Sequence, residues 1–161
     1  IPEAVNAVSD ALFYVENKTK DTKLAVPLGL TSNSCGGDPC AEDVESPFAN
    51  VSKENIRDNL VAFQRMYLGN DAGGSTTGPC FDDFLSAVGD DNVSSMMATD
   101  ISESIAAIDN MTGTLADTVN NNISQVEGAQ EELKQVTDRL KNEFLEVLGL
   151  TIPGSAAGDG D

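Results

Sequence analysis

The sequence contains no histidine and no tryptophan, and only 9 of its 161 residues are basic. Without histidine there can be no Ser-His-Asp triad, no Cys-His pair and no zinc-protease helix with two His four residues apart. A hydrolase built from carboxylates alone would need a clear acid pair in a pocket. No apolar run approaches the roughly 18 residues that would make a membrane-spanning helix. Six Phe and two Tyr are the whole aromatic complement. The core must therefore come mainly from Leu, Ile, Val, Ala and Met, which suits helix-on-helix packing better than an aromatic-rich sheet sandwich.

Against the 9 basic residues stand 27 acidic ones, giving a formal charge of −18 and an isoelectric point near 4.1. Nucleic acid and anionic membrane both require a cationic face, so neither is expected as a partner. The imbalance is also local. Between Arg65 and Lys134 there is no Lys or Arg, while twelve Asp and Glu fall in that stretch. One side of the molecule should carry a strong negative potential, which either keeps the surface solvated or recruits cations.

Three cysteines are present. Cys35 and Cys40 are separated by Gly-Gly-Asp-Pro, a turn able to fold back and close a small loop, so a Cys35–Cys40 disulfide is expected and Cys80 is left over. The spacing is not Cys-x-x-Cys and no second ligand cluster accompanies it, which argues against a redox or zinc site. Five Asn-x-Ser/Thr sequons occur, at Asn17, Asn50, Asn92, Asn110 and Asn122. They would accept glycans in a eukaryotic secretory pathway and be inert in a bacterial periplasm. An opening of Ile1-Pro2-Glu3, with no initiating Met and no signal peptide, reads as a processed or trimmed start.

Hydrophobic spacing divides the chain into helices. Val5, Val8, Leu12, Val15 and Thr19 predict an amphipathic helix over residues 3–22. Pro27, Gly29 and the Asn33–Pro39 cluster should end it and open a long loop, residues 24–51, of the kind that carries function or interfaces. Ser52 can cap a second helix reaching Leu68, with Ile56, Leu60, Phe63 and Tyr67 inward and Gly69 as terminator. Residues 70–79 are a turn-rich connection. A short helix from Phe81 to Val88 should bury Phe81, Phe84, Leu85 and Val88, with Asp82 and Asp83 complementing its N-terminal dipole. Asp90-Asp91 opens a longer helix with Val93, Met96, Met97, Ile101, Ile105, Ile108 and Met111 inward, kinked or ended at residues 112–114. The last helix, residues 123–148, carries a near-heptad seam of Val126, Ala129, Leu133, Val136, Leu140, Phe144 and Val147. The expected fold is all-α: an up-and-down bundle of four to five helices with one long loop between the first two, forming a single domain over residues 1–152 and leaving a small polar tail at 153–161.

Several segments, taken in order, resemble the imelysin family, the peptidase M75 or iron-regulated protein A type. They are Ala11-Leu12-Phe13-Tyr14, Lys23-Leu24-Ala25-Val26-Pro27-Leu28-Gly29, Val44-Glu45-Ser46-Pro47-Phe48, Asn55-Ile56-Arg57-Asp58-Asn59-Leu60 leading to Tyr67-Leu68-Gly69, Phe81-Asp82-Asp83-Phe84-Leu85, and Leu148-Gly149-Leu150 with the closing Gly158-Asp159-Gly160-Asp161. The resemblance implies the C-terminal lobe of a two-lobed helical protein exported to the periplasm or cell surface and often linked to iron-regulated genes. The family's metal motif, Gly-x-His-x-x-Glu, belongs to the N-terminal lobe, and this sequence begins after it. Neither that metal site nor the peptidase label can be placed on any residue here, so no catalytic residue is assigned.

What the resemblance does imply is a cleft side formed by Lys23, Glu45, Ser46, Asp82 and Asp83, with Asp159 and Asp161 as weaker metal candidates. It also implies a metal ion (iron, zinc or calcium) shared with an N-terminal imelysin lobe or another chain. The function expected is a binding module. The alternatives are a fragment of an M75-type metallopeptidase and a glycosylated structural surface protein.

Overall fold

The computed structural model describes residues 2–69, 78–154 and 156. Among these the protein is all-α, with six helical rods and no strand. The first rod is α1 (Pro2–Leu12), a π-helical segment (Val15–Ala25) and one closing α turn, α2 (Val26–Leu28). Then come α3 (Ser52–Leu68), the short α4 (Phe81–Ala87), α5 (Asp91–Asp109), the short α6 (Leu115–Asn121), and a last rod in which α7 (Ile123–Arg139) passes through a π-helical stretch (Leu140–Phe144) into α8 (Leu145–Leu148). α5 and α7 share the broadest contact, and α3 and the first π segment close the bundle around them.

Most of the inward residues are those the spacing selects, although Val8 of α1 is 52% exposed. Ile56, Leu60, Phe63 and Tyr67 of α3, Met97, Ile101 and Ile108 of α5, and Val126, Leu133, Val136, Leu140 and Phe144 of the last rod are all buried. Four rings gather at one end. Tyr67 stacks with Phe63 at 6.5 Å between centroids, and Phe144 lies 6.3 Å from Tyr67 and 5.2 Å from Phe81, the last pair edge to face. Such contacts add about 0.5–1.5 kcal/mol each beyond the area they bury. Buried Tyr67 donates its hydroxyl to the Ser94 carbonyl at 3.4 Å.

Four expectations need correction. The first helix does not stop near residue 22. It widens into π geometry and continues to Leu28, so the long connection begins at Gly29 and Lys23 is helical. Pro27 stands in the closing α turn, one residue from its end, and does not keep the rod from reaching Leu28. Ser52 is the first residue of α3 rather than its cap; Val51 holds the cap position, and the Ser52 hydroxyl accepts the Ser46 N–H at 3.0 Å. On α4 only Phe81 and Leu85 are buried, while Phe84 and Val88 remain 42% and 59% exposed, because a helix this short presents one narrow face to α3, α5 and α8. α6 was not anticipated. It is opened by Thr114, whose hydroxyl accepts the Asp117 N–H at 3.1 Å while Asp117 reaches back to the Thr114 N–H at 3.2 Å.

At the C-terminal end Gly149 closes the last rod in the left-handed conformation. The Ala156 N–H then meets the Pro153 carbonyl at 2.9 Å, and Ala156 is buried against the core. The tail therefore starts as a packed turn. Asp159 and Asp161 lie outside the described residues.

Candidate functional site

The connection from Gly29 to Val51 is held in shape by its own polar side chains. The Asn33 amide donates to the carbonyls of Val26 (3.1 Å) and Asp38 (2.7 Å), and its oxygen accepts the N–H groups of Cys35 (3.1 Å) and Gly37 (2.9 Å). Asp43 accepts from both the N–H and the hydroxyl of Ser34, at 2.6 and 2.8 Å, and the first of these bonds holds its carboxyl below the usual range. Cys35 and Cys40 are disulfide-bonded with Cα atoms 5.7 Å apart, and the Cys40 N–H donates to the Pro27 carbonyl at 2.8 Å. The loop is thereby tied to the end of the first rod.

Buried Val44 anchors the next stretch, which delivers Glu45 and Ser46 against the rod and the start of α3. Lys23, on the inner face of the π segment, pairs with Glu45 at 3.1 Å. The Asn55 amide of α3 donates to the same Glu45 Oε2 at 3.1 Å and approaches the Ser46 hydroxyl at 3.4 Å. Asn50, in the left-handed conformation at φ 57°, returns its N–H to the Ser46 carbonyl at 3.0 Å. The Lys23 ammonium also stands 5.9 Å from the centre of the half-exposed Tyr14 ring, within cation–π range. The lysine side chain is almost wholly buried, whereas the Glu45 side chain is 38% exposed. Its Oε2 takes both contacts, which fixes the orientation of a group that still reaches water.

Three predicted site residues, Lys23, Glu45 and Ser46, thus converge, and Asn55 joins them. Asp82 and Asp83 do not. They open α4 beside Cys80, which faces Gly69 at the other end of α3. Fourteen residues of helix separate Asn55 from Gly69, about 21 Å at 1.5 Å per residue. Asp83 caps the helix by accepting the Cys80 N–H at 3.0 Å. The Asp82 carboxyl is pushed up first by burial, with the Asp83 charge adding to it, and its Oδ1 is buried without a partner. Burial and the same two carboxylates push up the Cys80 thiol, so it is not activated as a nucleophile.

Sequence reasoning missed a buried charge cluster. Glu16, with no exposed side-chain surface, receives Lys20 at 3.2 Å and Lys141 of the last rod at 3.1 Å, both on Oε1, while Lys20 also reaches Asp21 at 2.8 Å. Glu16 Oε2 is buried without a partner, and burial pushes the carboxyl up despite both lysines. In a regular α-helix Glu16 and Lys20 read as a surface i,i+4 pair. In the structure both face inward, buried beside Thr19 and Lys23. The cluster joins the π segment of the first rod to that of the last.

The sequon asparagines Asn50, Asn92, Asn110 and Asn122 are exposed, and Asn17 is half-buried. Among the described residues no three His, Cys, Asp or Glu side chains come together in a way that could hold a metal ion, and no helix is long and apolar enough to cross a membrane. Glu45 can offer an oxygen to a cation but not a complete ligand set, so no step through a metal follows from these residues. No curated protein and no solved structure matches the chain significantly. The family model for imelysin, peptidase M75, matches residues 2–143, and the chain belongs to that family.

Proposed function

We propose that this domain is the binding lobe of an exported, two-lobed imelysin-family protein, and that the Lys23–Glu45–Ser46–Asn55 corner faces a metal or small ligand shared with an N-terminal lobe. The observation that carries the reading is the Glu45 carboxylate, positioned from two elements through one oxygen and still open to water. A carboxylate fixed in this way is suited to complete a coordination or hydrogen-bonding shell whose other members come from a facing surface. Hydrolysis is a weaker reading, because a water-activating set would have to come wholly from the other lobe.

Mass spectrometry of natively isolated protein tests this directly. A co-purifying segment containing Gly-x-His-x-x-Glu, continuous with this chain or bound to it, is the expected result. In the assembled protein, Glu45→Gln should lower the bound metal or ligand at least several-fold while leaving the circular dichroism spectrum unchanged. A native chain that begins at Ile1 and binds no such segment would overturn the proposal. Glycan masses on Asn50, Asn92, Asn110 or Asn122 would instead favour a surface glycoprotein, since those side chains are exposed.

A further inference from the structure

The spacing of Cys35 and Cys40 gives no sign of redox chemistry, but their surroundings do. The bridge links residues only five apart, and so short a loop takes less entropy from the unfolded chain than a long one. The turn it closes is also held by other bonds. Asn33 spans it, donating to the Val26 and Asp38 carbonyls and accepting the Cys35 and Gly37 N–H groups. The Cys40 N–H is fixed to the Pro27 carbonyl and the Ser34 N–H to Asp43, at 2.8 and 2.6 Å. With the bridge open, those bonds would keep the two sulfurs close, which favours reclosure.

The two cysteines differ in what surrounds them. Cys35 is exposed, whereas Cys40 is buried to 1%. The Ser34 hydroxyl oxygen lies 3.4 Å from Cys40 Sγ and gives its single hydrogen to Asp43 Oδ1 at 2.8 Å. Toward the sulfur it therefore presents a lone pair. A disulfide sulfur has no hydrogen with which to meet it, but a Cys40 thiol does. A hydrogen bond made only in the dithiol form shifts the equilibrium toward reduction.

We infer that the Cys35–Cys40 bridge is a reversible thiol–disulfide exchange site. It is opened by a low-molecular-weight thiol attacking exposed Cys35, and its reduced form is stabilised by a relay from the Cys40 thiol through the Ser34 hydroxyl to Asp43. The external thiolate bonds to Cys35 Sγ as the Cys35–Cys40 bond breaks, and Cys40 leaves with the electron pair and takes up a proton. A second external thiol then displaces the first from Cys35. The protein gains two electrons and two protons, and the two external thiols end as one disulfide. Opening frees the turn at Gly36 and Gly37, both at positive φ, whose Gly37 carbonyl packs against Gly29 at the end of the first rod. The inference does not depend on the reading of the Lys23–Glu45 corner.

The test equilibrates the folded chain in glutathione buffers of graded ratio at neutral pH, then alkylates it and reads each cysteine by peptide mass spectrometry. Free Cys80 serves as the internal reference for labelling. Cys35 and Cys40 should become reduced together without urea, and brief exposure should leave a glutathione adduct on Cys35 rather than Cys40. Ser34→Ala removes the acceptor for the Cys40 thiol but keeps the backbone N–H bond to Asp43. Its circular dichroism spectrum should be unchanged, and its equilibrium constant for reduction by glutathione should fall about threefold or more. A bridge that glutathione opens only after urea unfolds the chain would be purely structural and would overturn the proposal. So would an adduct confined to Cys40, or a folded Ser34→Ala variant reduced as readily as wild type.

Discussion

At Gly29 two demands meet in one residue. Its φ of +76° lies in the left-handed region, and a Cβ there would collide with the Gly37 carbonyl oxygen, a backbone atom of the disulfide loop that cannot swing aside. Gly29→Ala should therefore cost about 1–3 kcal/mol, seen as a lower urea midpoint with little change in helix content. Glu16 offers a different residue-scale test. Burial raises its folded pKa above the ordinary 4.5, so over the window just above 4.5 the folded state binds more protons than the unfolded one. Stability contributed at this position must then fall as pH rises from 4.5 through the raised value, and the lost part stays lost above it. Urea midpoints of wild type and Glu16→Gln across that range should show the wild type losing ground to the variant as pH rises. A difference independent of pH would place the carboxyl at its ordinary value.

Among the elements, α7 tolerates change where the first rod does not. Gly128 sits inside α7, exposed, with open space where a Cβ would go. Replacing it with Ala should stabilise the protein by about 0.5–1 kcal/mol through helix propensity and a less flexible unfolded chain, raising the thermal midpoint by a few degrees. The contrast with Gly29 shows what could be read from spacing and what could not. α3, α5 and the last rod were legible because Leu60, Ile101 and Leu133 recur at intervals that only a helix places on one side. Phe84 and Val88 mislead because apolar character does not imply burial on a helix that turns only its Phe81–Leu85 face to α3, α5 and α8. The local pattern ends the first helix before Lys23 because Pro27 and Gly29 read as terminators, and nothing in it announces a π segment. Its evidence is tertiary: Glu16, Lys20 and Lys141 find one another across 125 residues of chain. Of the candidate site, the residues Lys23, Glu45 and Ser46 were legible through the family resemblance. Asn55 was visible only as part of a matching segment, because its role depends on how the loop meets α3.

For the whole molecule the dominant quantity is the charge, −18 on 161 residues. Several basic residues are already committed to specific partners: Arg57 pairs with Asp109 at 2.7 Å, Arg139 with Asp100 and Glu143 at 2.6 Å each, and Lys53 holds the carbonyls of Met111 and Gly113 past the end of α5. These pairs leave a large excess of carboxylates facing one another across the surface, and compact folding brings them closer than an expanded chain does. Screening should relieve that repulsion more than it weakens the few exposed pairs, because the Debye length shrinks from roughly 20–30 Å at about 0.01–0.02 M salt to below 10 Å above about 0.15 M. Half-buried Arg139 and buried Lys20 are shielded from the salt in any case. Raising NaCl from about 20 mM to 500 mM at neutral pH should therefore raise the thermal midpoint by several degrees. A neutral osmolyte at matched water activity should reproduce none of the ionic-strength dependence. A midpoint that falls with salt would mean that the specific pairs outweigh the net charge, and that the acidic surface is already neutralised by bound cations.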